Sequence, residues 1–315
     1  MSKILAVALS TLIAASALWA VPLVGTAHER FKAAIRDAEQ PQTNSFITPV
    51  RLKPSNSRGL IATVWVNDSG PFQFALDTGA GVSLVSRDLV TKARLPVHQS
   101  NRAFVGGLSA GSIVSNQSTT VRSIAFGTPN NKLSTSFSAA VVASLPGQLD
   151  GILDPTEAFS PRGYSIDIPK GELRVIDFSE RALQSADVRT DGALVKWVRQ
   201  RNDHRPFVRL GDSRLALIDT GSNFGLAVSD GRVVGMNPNR QNRTMRDLSG
   251  GSISARRVAP TTVNIGSLVL RSVPTDVLFG APAGTPVLLG RDALYPFRLT
   301  FDPANGLIGI EPSEQ

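Results

Sequence analysis

Phe72-Gln-Phe-Ala-Leu-Asp-Thr-Gly-Ala80 and, 142 residues later, Leu215-Ala-Leu-Ile-Asp-Thr-Gly-Ser222 say the same thing twice. In each, an apolar run ends on Asp-Thr-Gly. Before the first lies Leu60–Val66, which alternates as a strand, and the turn Asn67–Gly70. Before the second lie the strand Phe207–Leu210 and the turn Gly211–Ser213. Both copies read as a β-hairpin running straight into a tight polar loop. Average usage puts one Asp-Thr-Gly in about 5% of chains this long, and two closing matched hairpins are roughly a hundredfold rarer. An Asp-x-Gly turn of no special purpose has polar flanks; these follow buried-type strands.

Working outward, three more features recur in the same order. The Gly-rich stretch Phe104–Ser112 is echoed by Asp247–Ser252, Asp150–Leu153 by Val287–Gly290, and Tyr164–Val175 by Phe297–Ile308. Five paired features in one order indicate a duplicated, β-rich unit. The expected fold class is all-β, with two pseudo-symmetric lobes at 46–180 and 181–315 and a cleft between them. Residues 178–205, polar apart from Leu194–Val198, read as the join. Composition agrees: 27 Gly and 20 Pro with only 18% charged residues suit short strands and turns.

The chain has no Cys and three dispersed histidines, His28, His98 and His204. This excludes disulfides, thiolate chemistry and a histidine-rich metal centre. His98 and His204 read as surface residues. The net charge of +8 comes with no aromatic-interleaved basic stripe, so no nucleic-acid partner is expected. Lys3 followed by the apolar Ile4–Gly25 run and the small residues Gly25-Thr26-Ala27 reads as a secretory signal or a membrane-anchoring helix over 1–27. Residues 28–45 read as a polar linker. The expectation is an exported protein, periplasmic or secreted, either released or anchored in the inner membrane through the N-terminus with the catalytic part outside.

Two carboxyls held a few ångström apart share one proton, because like charges so close cannot both ionise. Such a pair can activate water and protonate a leaving group without a metal or cofactor. Asp77 and Asp219 are the candidates. Thr78 and Thr220 are placed to bond across a pseudo-two-fold axis. Gly79 and Gly221 let backbone N–H groups approach the carboxylates, and Ser222 offers a hydroxyl where Ala80 has none.

On these residues the chain resembles the pepsin and retropepsin clan of aspartic peptidases over about 46–315, in particular the retropepsin-like peptidases of the bacterial periplasm. Asp77-Thr78-Gly79-Ala80, Asp219-Thr220-Gly221-Ser222 and Leu288-Leu289-Gly290-Arg291-Asp292 carry the resemblance. It implies an aspartic endopeptidase acting on protein or peptide substrates, expected to be a monomer, with Asp77 and Asp219 catalytic. It also implies flaps carrying Phe104, Gly106, Gly107, Gly250 and Gly251. Three departures stand out. Asp154 occupies the place of a glycine, Phe104 is the only aromatic where a flap tyrosine is usual, and residue 80 is Ala. If Asp154 lies behind Asp77, its charge disfavours ionisation of the pair.

Two other readings compete. Gly107-Leu-Ser-Ala-Gly111 spells a serine-hydrolase elbow, but no helix pattern follows it and only His204 lies downstream. A non-catalytic module that keeps the cleft would bind extended peptides by β-augmentation, and Asp154 with the missing flap tyrosine is what favours it.

Overall fold

The computed structural model describes residues 48–55, 59–106, 112–200, 203–229, 242–246, 252–282 and 284–314. The apolar N-terminal run, the 28–45 linker and the candidate flap residues Gly107, Gly250 and Gly251 lie outside the described residues. Among those described, no helix is long and apolar enough to cross a membrane.

The chain is mostly β-strand, as its alternation requires. In the first half, β1 (Val50–Arg51) and β2 (Lys53–Ser55) lead into the hairpin β3 (Gly59–Val66) and β4 (Ser69–Leu76). Asn67 and Asp68 turn it with φ of 45° and 68°. Two successive left-handed residues give a turn whose twist matches the strands. The Asn67 side chain also accepts from the N–H groups of Arg122 and Ser123, fixing this corner to the next hairpin. There follow β5 (Ser83–Ser86), a short helix α1 (Arg87–Lys92), β6 (Val97–Gly106), β7 (Ser112–Phe126), β8 (Lys132–Val142) and β9 (Gly151–Leu153). They form an eight-stranded sheet in the order β2-β3-β4-β9-β5-β8-β7-β6, and an added β3–β7 pairing curls it on itself. β9 runs parallel to β4 and antiparallel to β5.

After helix α2 (Pro155–Phe159), β10 (Gly163–Asp167), β11 (Glu172–Ile176) and β12 (Ala193–Lys196), the second half repeats the plan. The hairpin β13 (Phe207–Arg209) and β14 (Leu215–Asp219) is followed by β15 (Leu226–Val228), β16 (Arg243–Arg246) and β17 (Ser252–Arg257). Then come β18 (Thr261–Ile265), β19 (Leu268–Val273), β20 (Thr275–Phe279) and β21 (Val287–Gly290). β21 is parallel to β14 and antiparallel to β15, the arrangement of β9 with β4 and β5. One difference has a plain cause. The long β7–β8 hairpin of the first half is cut in the second into β17–β18 and β19–β20. Pro260 and Pro274 stand at the cuts, and proline cannot donate to a ladder.

The halves meet in a six-stranded sheet, β1-β11-β10-β22-β23-β12, where β22 is Phe297–Asp302 and β23 is Leu307–Pro312; helix α3 (Arg291–Leu294) precedes β22. At the seam β10 lies antiparallel to β22, with Tyr164 opposite Phe301. Their rings stack at 4.7 Å, Phe159 and Trp197 close the cluster edge-on, and Tyr164, Phe159 and Phe301 are fully buried. The stretch read as a polar join is therefore partly structural. It contributes β12, which pairs with β23 as β1 pairs with β11, so β1 and β12 form a sixth repeated feature.

Candidate active site

Asp77 follows the last residue of β4 and Asp219 is the last residue of β14. Both strands are interior to their sheets, so the loops beyond them are held by parallel neighbours: Leu76 lies opposite Leu153, and Asp219 opposite Gly290. The two Asp-Thr-Gly loops interlock. The N–H of Thr78 donates to Oγ1 of Thr220 at 3.2 Å, and that of Thr220 to Oγ1 of Thr78 at 3.0 Å. The Thr78 hydroxyl then donates to the carbonyl of Ile218 at 2.7 Å, and the Thr220 hydroxyl to that of Leu76 at 3.3 Å. Both threonines are fully buried, where an unpaired polar group costs about 1–3 kcal/mol. Each hydroxyl is consumed by the opposite half, which fixes the distance between the loops.

The glycines are dictated by space. A Cβ on Gly221 would stand 2.3 Å from Cγ of Asp77, and one on Gly79 would stand 2.7 Å from Cγ of Asp219. Each glycine backbone thus forms a wall against the other half's carboxyl. The carboxyls of Asp77 and Asp219 are close enough for each to shift the proton affinity of the other. Gly79 N–H donates to Oδ1 of Asp77 at 2.8 Å, while Gly221 and Ser222 N–H both donate to Oδ1 of Asp219 at 3.0 Å. The support given by Ser222 comes from its backbone; its hydroxyl accepts from Phe224 N–H at 3.2 Å.

The environments of the two carboxyls differ. Burial, and then the charge of Asp219, push Asp77 well above the ordinary carboxylate range, opposed by Gly79 N–H and reinforced by Asp154. Burial raises Asp219 as well, but the neighbouring Asp77 carboxyl, the N–H groups of Ser222 and Gly221 and the charge of Arg291 all pull it back. Arg291 donates to the carbonyls of Thr220 and Gly221 at 2.7 and 3.1 Å, gripping the second loop from behind.

Asp154 follows β9 and Gly290 ends β21, and the shared register makes them equivalents. Both precede a short helix. Asp154 caps α2 by accepting from Thr156 N–H at 2.9 Å, with Pro155 at the first helical position; Gly290 starts α3 without a side-chain cap. The expected departure of the first half therefore sits behind Asp77 and has a local reason. His204, which the sequence reads as a surface residue, is indeed exposed, yet its Nε2 lies 2.8 Å from Oδ2 of the buried Asp154.

Of the expected flap residues, Phe104 and Gly106 lie on β6, with Phe104 opposite Val114 and Gly106 opposite Ser112. The corresponding hairpin of the second half, β16–β17, is closed by Arg246 opposite Ser252. One feature of that hairpin had no sequence signal. Asp276 on β20, fully buried, takes Arg243 of β16 at 2.7 Å and Arg257 of β17 at 3.1 Å. Among the described residues there is no cluster of His, Cys, Asp or Glu fit to hold a metal.

No curated protein sequence matches the chain. Residues 62–153, from β3 to the end of β9, match a family model described as aspartyl protease. Over that stretch, under a third of its length, the chain is similar to aspartyl proteases, which supports a peptidase of the pepsin and retropepsin type.

Proposed function

We propose that this protein is a two-lobed aspartic endopeptidase in which Asp77 and Asp219 act as one catalytic unit, exported to the periplasm or cell envelope by its apolar N-terminus. The observation that carries the reading is the reciprocal packing of the loops. Each Gly backbone stands against the opposite carboxyl, so the two acids are held together by both halves at once.

The unequal surroundings support a division of roles. Asp77 has one backbone donor and a negative neighbour, so it holds the shared proton; Asp219, with two backbone donors and Arg291, is the ionised partner. The pair still titrates as a unit. A water between them gives a proton to Asp219 as its oxygen attacks the scissile carbonyl carbon, while Asp77 protonates the carbonyl oxygen. Collapse of the tetrahedral diol returns a proton to the departing nitrogen as the C–N bond breaks. Extended substrates would lie under the β6–β7 and β16–β17 hairpins.

The test is incubation of the chain with a proteome-derived peptide library, with and without a statine-type inhibitor that mimics the diol. Internal cleavage blocked by the inhibitor, and lost in D77N and D219N, supports the reading. Binding of peptides without cleavage would replace it by the peptide-holding module, whose cleft keeps its shape while Asp154 disables the pair. Fractionation bears on export: intact protein in the cytoplasm overturns that part.

A further inference from the structure

The buried carboxylate behind Asp77 does not end in the core. Asp154 caps α2 with one oxygen and meets His204 with the other, and His204 belongs to the segment joining the halves. The imidazole stands at a solvent-open groove lined also by Thr156, Glu157, Arg199 and Asp203. A group that exchanges protons with solvent is thus joined by one contact to a carboxylate whose charge is felt by the catalytic pair. Asp77 N–H itself donates to Leu153, the residue before Asp154.

We propose that His204 is a positioning residue that sets, through Asp154, the pH range over which the Asp77–Asp219 pair keeps its single proton. The proposal rests on the peptidase reading above. Its sign follows from charge alone. With His204 protonated, Asp154 and His204 form a neutral pair and the dyad can ionise at low pH. As pH rises and His204 loses its proton, Asp154 stands unbalanced and strengthens the dyad's hold on its remaining proton when free protons become scarce. Both limbs of the rate profile are thereby pushed outward.

The other charges facing these groups do not undo this. Glu157 on α2 and Asp203 on the joining segment favour the imidazolium, after the leading effect of Asp154 itself. Arg205, whose Nε and Nη2 donate to Asp203 at 2.9–3.0 and 2.6 Å, keeps its charge throughout, so its pull on Asp219 and Asp77 is the same at every pH in the range. Arg199 turns to the carbonyl of Pro303, and Tyr164 on β10 is kept neutral by burial and donates or accepts with Thr156. Glu157 is raised by burial and accepts from Ser83 N–H at 3.1 Å.

The experiment measures kcat/KM against pH for wild type, H204Q, D154N and the double variant on one cleavable peptide. Gln keeps a donor but does not titrate, and Asn keeps the helix cap while removing the charge. H204Q is expected to lose its acid-side activity, so that the active range narrows from below. D154N should move the alkaline limb to lower pH and leave the acid limb, already set by a neutral pair, near its wild-type place, and adding H204Q to D154N should do little more. A ring-resonance titration of His204 supplies a readout independent of turnover: its midpoint should fall in D154N. Active enzymes whose limbs stay in place, or an unmoved His204 midpoint, overturn this proposal and leave the peptidase reading standing. A wild type that cleaves nothing overturns the reading beneath it.

Discussion

A methyl group at residue 221 would meet the Asp77 carboxyl at 2.3 Å, where ordinary contacts begin near 3.4 Å. In G221A either the carboxyl or the second loop must therefore give by about 1 Å. The loop cannot move freely, because Thr220 is bonded to both Thr78 and Leu76 and Arg291 grips its carbonyls. The carboxyl is the part that yields. A displacement of about 1 Å at reacting groups costs on the order of 100-fold in rate, or about 2.7 kcal/mol of activation free energy. Forcing one carbon into a packed site also costs about 1–3 kcal/mol of stability. G79A, with its methyl carbon 2.7 Å from Asp219, should do the same more mildly. The assay is kcat and KM on one cleavable peptide beside a thermal melt. A folded G221A that turns over within a few-fold of wild type would show that the glycine wall does not position the pair.

Further outcomes can be checked on the same protein. D77N and D219N should each abolish nearly all turnover, with the double variant little worse than either, since the two carboxyls act together. D77N should also be more stable than wild type near neutral pH. A raised folded pKa means the native state binds the extra proton, so wild-type stability falls as pH rises above the ordinary carboxylate range of about 4; equal melts from pH 4 to pH 7 would contradict this. H204Q should lower stability at about pH 5 and match wild type in alkaline buffer. The raised folded pKa of His204 gives a contribution that is full below about 6.5 and is lost as pH rises through it. T78V, which strands the Thr220 N–H and the Ile218 carbonyl, should cost about 2–4 kcal/mol in a denaturant melt, whereas T78S should cost far less. In D276N, hydrogen exchange should speed selectively in β16 and β17, because Arg243 and Arg257 lose their shared anion; uniform exchange would place the hairpin's anchoring elsewhere.

What could be read in the sequence was whatever is written locally and twice. The Asp-Thr-Gly loops, their hairpins and the back loops at 150–154 and 287–290 are contiguous patterns, and the structure places them in matching registers. Even the position of Asp154 behind Asp77 followed from the repeat. The contact of His204 with Asp154 joins residues 50 apart through a segment with no repeat partner at that point, so nothing local announced it. The strand Ala193–Lys196 hid in a polar stretch because it is a short sheet edge that buries only Ala193 and Val195. Asp276 looked like any charged residue on a strand, and only folding brings two guanidinium groups to it. Ser222 bonds Asp219 through its amide, while its hydroxyl accepts from Phe224, a distinction that the residue type alone does not carry.

The seam between β10 and β22 joins two copies of one plan inside a single covalent chain. Had the copies been separate and identical, symmetry would oblige the two acids to have equal proton affinities, and the proton would have no preferred side. Fusion removes that obligation. Each half can then accumulate its own substitutions, and this chain has put an aspartate behind one acid and a glycine and an arginine behind the other. A two-fold axis drawn by the backbone is thus broken by side chains, and in the proposed peptidase the direction of proton transfer would be inherited rather than decided anew at each turnover.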